Sequence, residues 1–248
     1  QTQNLKKLPT KGKLLGPREI NSGSTSFGNV NKVCIWRDEE CKKLIVHELV
    51  HYHDIDCRSL GDNINQIVSE NFNIAPEIEK RLYEAYTETC ANIFNCFICA
   101  YECNEKTNID IAKRMYFKEL KYSIFQTAKI LNFYGFKDIH DFVKKYDGRN
   151  LFQQSTSVFS YFFLKTAFLF NIDKFIDFIE KYSKPDIICG IKLIDNHVTF
   201  NALVDLMIDL GKDKLYLETL DNAMKILKNT KIPKVLTQTL RMTCVEVN

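Results

Sequence analysis

Apolar residues recur at helical spacing through most of the chain, and only two short β-prone runs break that pattern. The periodicity predicts helices at about 38–54, 76–103, 109–132, 138–146, 151–170, 172–183, 199–210 and 216–228. Asp38, Glu39 and Glu40 suit a helix N-terminus, and Pro76 suits the first turn of the next helix. Val30 to Trp36, with Val33, Ile35 and Trp36, reads as a short strand, and Ile187 to Leu193 as a second. Residues 1–28 read as an extended lead-in, turn-rich over Asn21 to Thr25. Nine Gly and five Pro leave too little punctuation for a sandwich or barrel of many strands, so the expected class is mainly α (α+β). No Gly-, Pro- or Ser-rich linker divides the chain. Residues 29–248 are therefore expected to form one domain, with 29–104 and 105–248 as its two parts.

Composition narrows the function classes. At 248 residues, 45% hydrophobic and 26% charged, the chain has ample material for a core and little reason to be disordered. Lys and Arg total 34 against 31 Asp and Glu, a net charge of +3 that argues against a nucleic-acid partner. The Lys-rich start and the series Lys121, Lys129, Lys137, Lys144 and Lys145 read as solvated faces. Nine Cys is an odd number with no regular framework, which points to a reducing compartment, the cytoplasm. The most apolar stretch, Ser157 to Ile172, carries Lys165 and falls short of the ~20 residues a bilayer requires, so no membrane partner is expected.

The chemistry is concentrated in His47-Glu48-Leu49-Val50-His51, an H-E-x-x-H pattern. A spacing of four on a helix sets both imidazoles on one face, about one turn apart, where they can share one metal ion. Glu48 projects beside that position and can take a proton from a water attacking a carbonyl. From Leu44 to Tyr52 no other residue is charged, so the helix is expected to be buried and an ionised Glu48 to require a partner. A catalytic zinc needs a third protein ligand. The metzincin extension fails, because Asp54 and Cys57 stand where Gly and His are required, although a Cys57 thiolate is itself a ligand type. Glu84 and Glu88, four apart on a segment without Lys or Arg from Leu82 to Glu105, repel one another unless a cation lies beside them. A zinc ion on His47 and His51 would be that cation.

These two segments resemble the gluzincin zinc metallopeptidases: H-E-x-x-H on one helix, and a Glu followed three residues later by a small residue on a second. They are also similar to uncharacterised metallopeptidase-like proteins of large DNA viruses, which would make this a viral protein, virion-associated or cytoplasmic. Glu88 with Ala91 matches the second motif, so the resemblance implies Zn2+ held by His47, His51 and Glu88, with Glu48 as base. An alternative register takes Glu84 as the ligand and Glu88 as its partner. Glu88 is preferred because Ala91 lets the helices approach closely, which leaves Glu84 or Asn92 to orient a ligand His. The resemblance covers about 65 residues, Asn29 to Asn95. It departs from the family in the 37 residues from His51 to Glu88 and in His53, where such helices are usually apolar. It further implies a zincin-like helical domain whose short strand, here Val30 to Trp36, flanks the cleft and binds an extended peptide.

A donor for the developing oxyanion should come from the opposite wall, and Tyr161 and His197 are the candidates. Cys96, Cys99 and Cys103 share a helical face, but structural zinc draws its thiolates from knuckles and loops, so these and Cys90 are read as core. The leading expectation is a zinc peptidase acting on a peptide or protein substrate. The alternative is a catalytically silent, zinc-stabilised structural protein of a virus particle or assembly.

Overall fold

The computed structural model describes residues 6–9, 14–27, 30–58, 63–104, 108–187 and 190–246. The chain is 60% helical, with two small antiparallel sheets of two strands each, so the mainly α expectation holds. In chain order, α1 (Pro17–Ile20) leads into β1 (Gly23–Ser26), which pairs with β2 (Lys32–Ile35) and places Ser24 opposite Cys34. There follow α2 (Cys41–Tyr52), α3 (Ile64–Asn71), α4 (Tyr83–Asn104) and α5 (Ile109–Tyr134). A π-helical stretch, Phe159–Leu164, runs directly into α6 (Lys165–Phe170) and then α7 (Ile172–Tyr182). The hairpin of β3 (Ser183–Asp186) and β4 (Gly190–Leu193) precedes α8 (His197–Gly211), α9 (Lys214–Asn229) and α10 (Lys234–Gln238). No helix among the described residues is long and apolar enough to cross a membrane.

The departures from the sequence pattern have local causes. Residues 17–26 form α1 and β1 where an extended lead-in was expected, while 1–5, 10–13 and 28 lie outside the described residues. Pro76 sits in a turn closed by the Ile78 N–H on the Ala75 carbonyl (3.2 Å), since proline suits a turn as well as a first helical position; α4 begins only at Tyr83. The helix expected at 138–146 shrinks to a 3-10 turn, Ile139–Asp141, whose last N–H is taken by the Asp138 side chain. Asp38, Glu39 and Glu40 precede α2 instead of entering its first turn. Glu40 takes a left-handed backbone (φ 65°) and buries its carboxylate, which accepts from Lys6 (2.7 Å) and the Thr243 N–H (2.7 Å). Residues 188 and 189 of the second expected strand lie outside the described residues.

The long helix α4 is the spine of the molecule. It packs on α2 along one face and against α5, α6 and the π-helical stretch elsewhere. Beyond it, Phe72, Phe142, Phe159 and Phe163 pack ring against ring, with centroids 5.0 to 6.1 Å apart. Contacts of that kind each add about 0.5–1.5 kcal/mol beyond area burial. Cys90 joins this core, and Cys96 and Cys99 pack with Val245, as core cysteines do.

Candidate metal centre

The helix α2 turns His47 and His51 toward α4, with their ring centroids 4.9 Å apart and both side chains buried. Opposite them stands Glu84, on the first turn of α4. Its Oε2 lies 3.4 Å from His47 Nε2 and 3.3 Å from His51 Nε2. The three ligand atoms all lie within 4.8 Å of one another, the one such grouping among the described residues, and so could hold a metal ion. Glu88, preferred from the sequence as third ligand, stands one turn further along α4 and meets the other side of the His47 ring. There its Oε2 accepts from Nδ1 at 2.9 Å. Glu84 and Glu88 share a helix face; only the axial offset between α2 and α4 brings Glu84 to the Nε2 atoms.

The donor set fits a metal because each imidazole is fixed from behind. His47 Nδ1 donates to Glu88, and His51 Nδ1 donates to Asp56 Oδ2 (2.8 Å), which leaves both Nε2 atoms directed at Glu84. Each of these rear carboxylates has a cation of its own. Lys43 Nζ lies 2.6 Å from Glu88 Oε1, and Arg58 Nε lies 3.3 Å from Asp56 Oδ1. Asn92 donates to Glu88 Oε1 (3.1 Å), so it steadies His47 at one remove, and Thr87 donates to Asp56 (3.3 Å). Lys43, Asp56, Arg58 and Thr87 were not anticipated. The signal for Lys43 was its position four residues before His47, on the same helical face. Replacing Lys43 with Met leaves the Glu88 charge buried without its cation. Affinity for a divalent metal ion at the two imidazoles is then expected to fall about 10–100-fold, as for other supports of a ligand His. The fold should lose about 3–5 kcal/mol. Chelator competition and thermal melting read the two effects separately.

Glu48 reaches the β1–β2 hairpin. Its Oε2 accepts from the Thr25 hydroxyl at 2.7 Å, and its Oε1 would stand only 2.7 Å from a Cβ placed on Gly23. Glycine at position 23 is thus what lets the strand approach the carboxylate. A cavity of about 20 Å³ is lined by Glu48, His47, Glu88 and Tyr161 together with Ile20 to Gly23, Lys6, Leu44 and Met242. That volume admits a single water molecule. Tyr161 sits in the π-helical stretch with its ring 5.9 Å from the His47 ring and its hydroxyl on Glu84. Local π geometry is frequent at functional sites. His197 is not among the converging side chains: it is exposed on the first turn of α8. Cys57 points to Asp195 and Asn196.

The electrostatics follow from burial and pairing. Burial opposes charge on His51, but its hydrogen bonds to Asp56 and Glu84 outweigh this and lift its pKa to about 10. His47 is raised likewise, against burial, by Glu84 and Glu88. Glu84 and Glu88 stay well below the usual carboxylate range despite burial, Glu84 through the two imidazoles and Glu88 through Lys43 and His47. Burial pushes Tyr161 far above 10, with the charges of Glu84 and Glu88 adding to it, so its hydroxyl remains a donor.

No protein-family model matches the chain, and no solved structure matches it. It is similar to uncharacterized protein R210 of Acanthamoeba polyphaga mimivirus, at 30% identity over 172 residues, covering 66% of this chain and 42% of that protein. The chain therefore spans less than half the length of that relative, and the likeness ties it to a virus-encoded protein.

Proposed function

We propose that the protein is a zinc-dependent peptidase in which His47, His51 and Glu84 hold the ion and Glu48 is the general base. The observation that carries this reading is the convergence of two Nε2 atoms and one carboxylate oxygen, with His47 and the neighbouring Glu48 also lining a water-sized cavity. Two imidazoles and one carboxylate are a zinc donor set, and three protein ligands leave a position open for reaction. Zinc bound there supplies a Lewis acid for the scissile carbonyl and lowers the pKa of a water to roughly 7. Glu48, oriented by the Thr25 hydroxyl, accepts the proton of the attacking water and passes it to the leaving amine. Tyr161 donates its hydroxyl to the oxyanion that develops on the carbonyl.

The strand beside Glu48 is β1, not the Val30 to Trp36 segment expected for that role. The Trp36 N–H bonds the Ser22 carbonyl (3.0 Å), so by antiparallel alternation Ser24 faces β2. Gly23 and Thr25 then direct their backbone groups to the other edge, where an extended peptide would pair. The near balance of charge supports a peptide or protein partner, and the mimivirus relative supports a viral setting.

Incubation of zinc-loaded protein with a peptide library, read by mass spectrometry, tests this reading. Cleavage is expected, and Tyr161→Phe should lower kcat about 10²–10³-fold at unchanged zinc content. The small volume of the cavity, about 20 Å³, favours one other reading, a metal-stabilised structural protein. A blank library result with full zinc occupancy would establish that reading instead.

A further inference from the structure

The opposite face of α4 carries a second, much larger concavity that the metal centre does not use. It is a trough of about 690 Å³ between α4, α5 and α7, closed at one end by Val50, Ile55 and Ile191. Its size lies within the range of small-molecule sites, about 300–1,000 Å³. On α4 it runs from Tyr86 to Phe97, a rise of about 16 Å. Phe175 and Ile179 of α7 and Ala112 of α5 form the floor, and the half-exposed side chains of Phe94, Phe117 and Ile176 form the rim. An open apolar surface of this extent marks a binding site.

The polar groups of the trough define what it takes. The Tyr116 hydroxyl already donates to the Leu169 carbonyl, and Tyr86 is engaged with Cys90. Lys113, on the exposed rim, is the single charged residue of the lining and has no acidic partner among the described residues. A ligand with several polar groups would leave them unpaired here, at a penalty for each. A protein partner would need a rim of many hydrogen bonds, on the order of ten. What matches is an apolar tail ending in one negative charge. We propose that this trough binds a fatty acid of medium chain length, its tail along α4 and its carboxylate paired with Lys113. A 16 Å trough takes an extended tail of roughly twelve to fourteen carbons. The proposal is independent of the metal centre, and the peptidase reading can fail without touching it.

Calorimetric titration of the full chain with laurate and with dodecanol tests it, both kept below the concentrations at which they aggregate. Laurate is expected to bind saturably at one per chain, with dodecanol at least fivefold weaker. Lys113→Glu, an exposed change, should weaken laurate tenfold or more and leave dodecanol as it was. Ile176→Glu should weaken both. Absence of saturable laurate binding, or binding that neither variant alters, overturns the proposal. Laurate binding indifferent to Lys113→Glu overturns the assignment of an anionic ligand. A dimer seen by light scattering that Ile176→Glu dissociates also overturns it, because the trough would then be covered by a second copy.

Discussion

Glu84→Ala is expected to lower zinc affinity about 10²–10³-fold, whereas Glu88→Ala should cost only about 10–100-fold. The contrast follows from which atoms face the imidazole Nε2 positions. Glu84 Oε2 lies 3.3 and 3.4 Å from them, while Glu88 reaches only the far nitrogen of His47. Structural zinc sites with four ligands bind with about 10–16 kcal/mol, so one ligand accounts for about 2.5–4 kcal/mol, a factor of about 10²–10³ in affinity. A carboxylate that only orients a ligand His accounts for a tenfold to hundredfold change in affinity. Elemental analysis after dialysis against a graded chelator series measures both variants on one scale. Equal retention by Glu84→Ala and wild type would remove Glu84 from the ligand set. A larger loss for Glu88→Ala than for Glu84→Ala would restore the register preferred from the sequence.

The second large effect is expected at Glu48. Glu48→Gln keeps the shape of the side chain and an oxygen for the Thr25 hydroxyl, so folding and zinc content should stay as in the wild type. What it removes is the ability to take a proton, and a general base contributes typically 10²–10⁴ to the rate. The expected result is kcat reduced by about that factor with KM nearly unchanged, measured on any peptide the library identifies. Undiminished turnover in this variant would exclude Glu48 as the base.

The parts of the fold that rest on local periodicity were legible, and the parts that depend on tertiary placement were not. His47 and His51 needed only a helix to share a face, and α2 supplies it. Choosing between Glu84 and Glu88 required the height of α4 against α2, which no spacing within one helix encodes. Ala91 does not decide between them, because a small buried residue eases helix packing wherever it falls. Asp56 lies just past the end of α2, where a chain reversal brings it back under His51. The π-helical stretch that presents Tyr161 was invisible, since Phe159 to Leu164 is as apolar as an α-helical core segment. β1 was missed because Gly23-Ser24-Thr25-Ser26 reads as a turn; it holds as a strand by pairing with β2 and by Thr25 anchoring on Glu48.

The paired charges behind the imidazoles have an electroneutrality consequence. Glu48, Glu84, Glu88 and Asp56 bring four negative charges into one low-dielectric region, and Lys43 and Arg58 return two positive ones. The neighbouring Lys6–Glu40 pair cancels itself. With both imidazoles protonated, the form that their raised pKa values favour, the four carboxylates are balanced by Lys43, Arg58 and the two rings. A divalent ion held by the two Nε2 atoms would take the place of those two protons, so its uptake should strengthen as the pH rises.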